Sequence, residues 1–291
     1  MQIGIIGLGR MGGNMAERLR RGGHEVVGYD RSGERSDVGS LEELAGKLDA
    51  ARTVWTMIPA GEPTEQAVRE LAGLLEPGDV VVDGGNSNFR DSMRRARELE
   101  ERGILFVDVG VSGGVWGLEE GYGLMVGGTD EAVARLVPIL DVLAPEGRYV
   151  HVGPPGSGHF AKMVHNGIEY GMIQAYAEGF DILQASREFP DIDLHAVAEA
   201  WRHGTVIRSW LLDLAADALE KDPRLEDLEA YAEDSGEGRW TVLEAIDTAV
   251  PVPVIAAALF ARFSSREESP FSMRMVAALR REFGGHAVKE R

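Results

Sequence analysis

Gln2-Ile3-Gly4-Ile5-Ile6-Gly7-Leu8-Gly9-Arg10-Met11-Gly12 is the stretch that decides the fold. Gln2 to Ile6 is a short apolar run and reads as a buried strand. The pattern G-x-G-x-x-G follows at once and opens a helical stretch from Met11 to Arg21, closed by Gly22-Gly23. A glycine triplet alone is weak in a chain with 37 glycines. Between a strand and a helix it has a mechanical reading. Gly7 permits the tight turn, Gly9 lets the main chain approach a pyrophosphate, and Gly12 lets the helix pack closely on the strand. The helix amino terminus adds amide donors and the positive end of its dipole. Gly7, Leu8, Gly9, Arg10, Met11 and Gly12 are therefore the predicted cofactor loop.

Glu25 to Tyr29 reads as the second strand, with Asp30 at its end. A carboxylate there accepts hydrogen bonds from the adenosine ribose hydroxyls and repels a 2′-phosphate, so NAD is favoured over NADP. Arg31 partly offsets that repulsion, and both residues join the predicted cofactor set. Further strands are expected at 53–58, 80–82, 105–107, 124–126 and 149–152, with helices near 65–75 and 91–101. Strands alternating with helices predict a parallel sheet covered on both faces. After Gly153-Pro154-Pro155-Gly156 the strand pattern stops. Helices are expected at about 159–187, 194–201, 206–219, 240–249, 253–263 and 271–283. The expected fold class is an α/β Rossmann-type doubly wound sheet over residues 1–153, followed by an all-α domain over 154–291. The acidic stretch 226–237 reads as a solvated helix and loop.

Composition excludes several classes. The 291 residues are 44% apolar, enough for a sizeable core. No apolar run approaches the roughly 20 residues that span a bilayer. No charged segment followed by an apolar one precedes the first strand, so a cytoplasmic location and no membrane partner are expected. The absence of cysteine excludes disulfides and thiolate catalysis. No histidines stand at metal-ligand spacing beside carboxylates, and no metal is expected. A net charge of −18 argues against a nucleic-acid partner. It also means that an anionic substrate needs a local cluster of positive groups.

The segment His159-Phe160-Ala161-Lys162-Met163-Val164-His165-Asn166-Gly167-Ile168-Glu169-Tyr170 carries the chemistry. Lys162, His165, Asn166, Glu169 and Tyr170 stand at i, i+3, i+4, i+7 and i+8, one face of a helix. That face is usually apolar in a core helix, or charged and solvated on a surface. Here it holds an amine, an imidazole, an amide, a carboxylic acid and a phenol, while Met163, Val164, Ile168, Met172 and Ile173 are apolar. A base and an acid on adjacent turns can move two protons in one reaction. Two glycine loops, Asp83-Gly84-Gly85-Asn86-Ser87 and Val111-Ser112-Gly113-Gly114, each follow an apolar strand. Each could be a plain turn. The carboxyl end of such a sheet is also where ligands bind.

Taken together, the glycine loop, these two loops and the 159–171 block resemble 6-phosphogluconate dehydrogenase (decarboxylating), within the β-hydroxyacid dehydrogenases. The resemblance covers nearly the whole chain, in the short and often NAD-linked form. It implies oxidative decarboxylation of 6-phospho-D-gluconate to D-ribulose 5-phosphate and CO2, as in the pentose phosphate pathway or gluconate catabolism. It implies that Lys162 is the base on the 3-hydroxyl and Glu169 the acid that protonates the enediol. A partly buried Lys beside a cationic ring is fitted to accept a proton near neutrality. Asn86, Ser112, Gly113, Gly114, His165 and Asn166 match substrate contacts, and Asn86 also faces the cofactor. Tyr170 and Arg262 match phosphate contacts. Arg280 and His286 match residues that reach the substrate of a second subunit, which implies a homodimer. Two long-form phosphate contacts, a Lys and a Thr, fall on Ser235 and Glu237; Arg239 nearby is a candidate to compensate. Two alternatives stay open. One is a non-decarboxylating β-hydroxyacid dehydrogenase acting on 3-hydroxyisobutyrate or tartronate semialdehyde; the other is a nucleotide-sensing protein without catalysis.

Overall fold

The computed structural model describes residues 1–33, 35–284 and 287–289. The chain divides into two compact units, Met1–His165 and Asn166–Arg291. In the first, strands and helices alternate in the order β1 (Gln2–Ile6), α1 (Arg10–Arg21), β2 (Glu25–Tyr29), α2 (Leu41–Lys47), β3 (Thr53–Thr56), α3 (Glu62–Leu74), β4 (Val80–Asp83), α4 (Phe89–Glu100), β5 (Leu105–Ser112), α5 (Gly117–Glu120), β6 (Gly123–Gly128), α6 (Asp130–Leu143) and β7 (Tyr149–Gly153). Helix α7 (Ser157–Gln184) follows and carries the unit boundary within it. The second unit continues with α8 (Leu194–Arg202), α9 (Trp210–Lys221), α10 (Glu237–Asp247), α11 (Pro253–Ser264) and α12 (Phe271–Gly284).

The sheet order is β2-β1-β3-β4-β5-β6-β7. The chain leaves β1 toward β2, then returns to the other side of β1 for β3, so the turn after β1 lies at the switch point where doubly wound sheets bind ligands. All neighbouring pairs are parallel except β5 with β6, which is antiparallel. The parallel sheet expected above holds for five of the six neighbouring pairs, and β5 with β6 is the exception. The connection 113–122 holds only a 3-10 turn and the short α5, and a parallel return needs a longer crossover.

Alternation along the strands feeds two cores. Ile3, Ile5, Trp55, Val107 and Val109 pack with Met15 and Leu19 of α1 and Leu136, Ile139 and Leu140 of α6. Ile6, Val54, Val81 and Phe106 face the other way, onto Leu44 of α2, Leu71 of α3 and Leu99 of α4. Helices α2 and α6 went unassigned in the sequence reading. The first is short and the second holds Pro138, so neither shows a clean helical period. Both begin on a side-chain cap, Ser40 accepting from the Glu43 amide and Thr129 from the Ala132 amide.

A charged cluster locks α3 to α4. Glu65 accepts from Arg94 at 2.6 Å and 3.0 Å and from Arg95 at 3.1 Å. Arg95 is buried and reaches Asp83, also buried, at 3.1 Å. Arg94, then Arg95, holds the Glu65 carboxyl down at about 2.

The second unit has two small cores. Leu194, Ala198, Leu212, Ala216 and Leu219 of α8 and α9 enclose Tyr176 and Phe180 of α7. Tyr170, Ala258 and Leu259 form the other, with Val242 and Phe263 against them. The expected helix at 206–219 starts at Trp210, because the Ser209 side chain accepts from the Leu212 amide and caps it there. The acidic stretch is a loop until Glu237, not a helix. Among the described residues no helix is long and apolar enough to cross a membrane.

Glu65→Gln is expected to lower stability at pH 7 by about 2 kcal/mol, the scale of hydrogen bonds to a charged partner. A carboxyl with a depressed native pKa contributes stability above its ordinary value of 4.5, lost as pH falls toward about 2. Denaturant midpoints of wild type and variant should therefore differ at neutral pH and converge across that window. A gap that persists at pH 2 contradicts this account.

Candidate active site

Each glycine of the first loop shows its physical reason. Gly7 has φ +89° and donates to the Tyr29 carbonyl at 2.8 Å. A Cβ at Gly12 would overlap the Gly7 carbonyl oxygen. At Gly9 a Cβ would meet nothing within 4 Å, so the space above it is open. Gly9 also caps α1 without any side-chain bond, and the first amides of α1 face that space.

Asp30 sits across the loop. One oxygen accepts the Leu8 amide at 2.8 Å. The other accepts the Ser32 hydroxyl at 2.7 Å and the Ser32 amide at 2.8 Å. The Ser32 hydroxyl is the main cause that holds the Asp30 carboxyl below the ordinary range, so it is charged at neutral pH. A cleft of about 520 Å³ is lined by Leu8, Gly9, Arg10, Asn14, Asp30, Ser32 and Arg35. Amide donors at one end and an ionised carboxylate at the other suit a dinucleotide. Gly7 and Gly12 shape the loop from behind. Met11 and Arg31 are not among the lining residues; Arg35 is, in the position the sequence reading gave to Arg31.

The two ligand loops lie at the ends of β4 and β5 and are tied together. Asn86, at φ +52°, accepts the Val111 amide on its side-chain oxygen at 3.0 Å. Asp83 accepts the Gly85 amide at 3.0 Å and the Ser87 hydroxyl at 2.8 Å. Ser112 ends β5; Gly113 and Gly114 both have positive φ, which turns the chain sharply into Val115. The Val115 carbonyl accepts from Asn14 of α1 at 3.3 Å. The loop after β5 is thereby fastened to the cofactor cleft.

Lys162 and His165 lie on the first turns of α7. Lys162 is only 5% exposed, and its Nζ stands 3.4 Å from Nδ1 of the exposed His165. Further along α7, Asn166 and Glu169 are half-buried and Tyr170 is buried. Ile168 on the same helix is 52% exposed and Ile182 is 73% exposed. Four of the five stripe residues are thus buried or half-buried, His165 is exposed, and Ile168 and Ile182 face outward.

Within the second unit, Tyr170 is the centre of a polar cluster. Its hydroxyl accepts the Ser235 amide at 3.2 Å. The Arg262 guanidinium carbon lies over its ring, 3.5 Å from the centroid, and Arg262 donates to the Glu233 carbonyl at 3.0 Å. A Cβ at Gly238 would run into that ring. The Ser235 hydroxyl donates to Glu237, which is buried. Arg239 donates to Asp234 at 2.5 Å and 3.1 Å, and Arg266 to the same carboxylate at 2.6 Å. Arg239 and then Arg266 pull the Asp234 carboxyl down to about 2. The charge of Arg239 is committed there, which corrects the expectation that it compensates for Ser235 and Glu237.

Residues 2–153 match the family model for the NAD binding domain of 6-phosphogluconate dehydrogenase, and residues 158–289 match the C-terminal domain of 6-phosphogluconate dehydrogenase. The chain belongs to the 6-phosphogluconate dehydrogenase family. It is 44% identical over 300 residues to the Haloferax volcanii 6-phosphogluconate dehydrogenase, NAD(+)-dependent, decarboxylating, covering 99% of this chain and 98% of that one. A longer Bacillus subtilis relative of the same description is 35% identical over 286 residues, covering 90% of this chain and 61% of its own. The Plasmodium falciparum 6-phosphogluconate dehydrogenase structure superimposes with a TM-score of 0.83 at 28% identity, over 100% of this chain and 66% of that chain. A Salmonella typhimurium 3-hydroxyisobutyrate dehydrogenase structure gives 0.75 at 23% identity, over 91% and 93%; that likeness is one of fold alone.

Ser235 and Glu237, which the resemblance sets against two long-form phosphate contacts, bond to each other here. Arg280 is exposed on α12, and His286 lies outside the described residues. Sequence reasoning missed Asn14, Ser32, Arg35 and Asp234. Ser32, two residues beyond Asp30, was the one with a local signal, since Ser after Asp closes such turns.

The two glycines give a paired prediction. Gly12→Ala should cost about 1–3 kcal/mol by overpacking. Gly9→Ala should leave the thermal midpoint within about a degree of wild type, because its Cβ meets only open space. It should still weaken NADH binding about tenfold or more, by crowding the pyrophosphate. Thermal melts and NADH fluorescence titrations read the two effects; a Gly9 variant with intact cofactor affinity would refute the assignment of that space.

Proposed function

We propose that this chain oxidises and decarboxylates 6-phospho-D-gluconate to D-ribulose 5-phosphate and CO2, with NAD as acceptor. The observation that carries the reading is α7, where a buried Lys162 and a half-buried Glu169 stand two turns apart. When bound, NAD supplies the acceptor for the hydride from C3. Gly9 and the open end of α1 hold its pyrophosphate; Asp30 takes the ribose hydroxyls and disfavours NADP. Lys162 takes the proton of the 3-hydroxyl. As an ammonium it then holds the 3-keto oxygen while the C1–C2 bond breaks and its electron pair becomes an enolate. Glu169 delivers one proton to the carbon that lost CO2, so the proton count closes. Ser112, Gly113 and Gly114 grip the carboxylate, with Asn86, His165 and Asn166 on the hydroxyls. Tyr170 and Arg262 take the phosphate.

We also propose a division of labour between residues 1–153, which bind the cofactor, and 154–291, which bind substrate and dimerise. The exposed apolar side chains of the second unit support a homodimer: Ile168 and Ile182 on α7, Val254 and Phe260 on α11, Met273 and Leu279 on α12. Arg280 and His286 of one copy complete the phosphate end of the other. A cytoplasmic enzyme of sugar-acid oxidation fits these features.

Incubation with NAD and 6-phosphogluconate should release NADH and CO2 in equal amounts. NADH without CO2 would move the reading to simple hydroxyacid oxidation, and tight NAD binding without any turnover to a sensor. Lys162→Met should cut oxidation about ten-thousandfold to a residual rate, with NAD binding intact, and Glu169→Gln should slow turnover about a hundredfold, both within the range of general acid–base contributions. Combining Ser235→Lys with Glu237→Thr should lower the KM for the phosphorylated acid about tenfold by adding a charge-assisted contact and removing an anion. An unchanged KM would separate this loop from the phosphate.

A further inference from the structure

We infer that Asp108 is a positioning residue for Lys162, an inference that rests on reading Lys162 as the base. Asp108, Gly110 and Ser112 are alternate residues of β5 and share one face of the strand. Asp108 is fully buried. One of its oxygens accepts the Gly156 amide at 2.5 Å and the other the His159 amide at 2.7 Å. These amides belong to the start of α7, so the strand, and not the helix itself, supplies the helix cap. Burial pushes the Asp108 carboxyl above its ordinary range, against the pull of His159 and the two amides.

The helix is also held at a set depth. A Cβ at Gly110 would overlap the Cβ of Lys162. A Cβ at Gly158 would stand 2.6 Å from the Asp108 carbonyl oxygen and 2.5 Å from that of Met125. The first turn of α7 therefore lies directly on the main chains of β5 and β6. The ring of His159 adds a lateral tie, Nδ1 to the Ser92 hydroxyl of α4 at 2.7 Å. Amides fix the slide of α7 along its axis, Gly110 fixes its depth, and Ser92 limits its rotation. Lys162 comes one turn after His159, so its amine inherits that register. Ser112, two residues past Gly110, opens the loop assigned to the substrate. One strand thus sets both the base and the group it acts on, and base catalysis demands that relative placement.

The test is Asp108→Asn, which keeps the size and one acceptor but turns a donor toward an amide. We expect kcat to fall about a hundredfold, the cost of small misplacement. KM for the sugar acid and affinity for NAD should stay within about twofold, because neither contact is made by Asp108. The isotope effect with substrate deuterated at C3 should rise as the oxidation step becomes limiting. A fall in kcat that only tracks the folded fraction, with an unchanged isotope effect, overturns the inference. A double-mutant cycle with Lys162→Met adds a second check. Single-turnover rates of the double variant should match those of Lys162→Met alone; a further multiplicative loss overturns action through Lys162. Undiminished turnover of Lys162→Met by itself would instead remove the base assignment, whatever Asp108→Asn does. If the Asp108 variant does not fold, Gly110→Ala reads the same device sterically: a lower kcat with intact NAD binding is expected, and wild-type kcat overturns it.

Discussion

Two buried carboxylates side by side set the terms for the first unit. Asp83, the last residue of β4, and Asp108, midway along β5, are register partners, and both are inaccessible to water. Adjacent anions in a low-dielectric interior are tolerable only if each has its own partner. Asp83 takes Arg95, the Ser87 hydroxyl and the Gly85 amide. Asp108 takes the amides that open α7. The five partners come from three segments. Meeting both demands draws α4, the loop 84–88 and the start of α7 onto two neighbouring strands. The loops after β4 and β5 and the position of Lys162 follow from that arrangement.

The cofactor half was largely legible from sequence because its chemistry is local. Gly7, Gly9 and Gly12 act through main-chain geometry within one turn, and Asp30 is placed by the end of its own strand. The polar stripe on α7 was legible for the same reason: helical spacing alone puts Lys162, Asn166 and Glu169 on one side. What stayed hidden is non-local. Asp234 reads as one more acid in an acidic stretch, yet it is 3% exposed and holds Arg266 from 32 residues away. The reversed direction of β6 depends on the connection 113–122 being too short for a crossover, a matter of three-dimensional reach. Asp108 sits inside an apolar strand with no partner in sequence, and its role is apparent only once α7 is seen to begin beside it.

The electrostatics of the second unit run against a simple count of cations. Three arginines, Arg239, Arg262 and Arg266, gather near the loop 231–236. Two of them share one carboxylate, Asp234. The third is laid over an aromatic face, where its charge is held by the ring and by a main-chain carbonyl. Ser235 and Glu237 satisfy each other. In a chain of net charge −18, the Arg262 guanidinium beside Tyr170 is a local positive charge within an acidic surrounding. Any anion held there is recognised by directed donors more than by a broad field.

The open amino terminus of α1 has a thermodynamic consequence. Gly9 supplies no capping side chain, so the first amides of the helix have no partner from that residue, and a ligand phosphate is their natural complement. A ligand that binds only the folded form adds stability as RT ln(1 + [L]/Kd), about 1.4 kcal/mol for every tenfold excess over Kd. The helix end thereby couples the redox cofactor pool to folding: the dinucleotide serves as a missing piece of secondary structure as well as a reactant. The lifetime of the first unit against unfolding becomes a function of how much dinucleotide surrounds it.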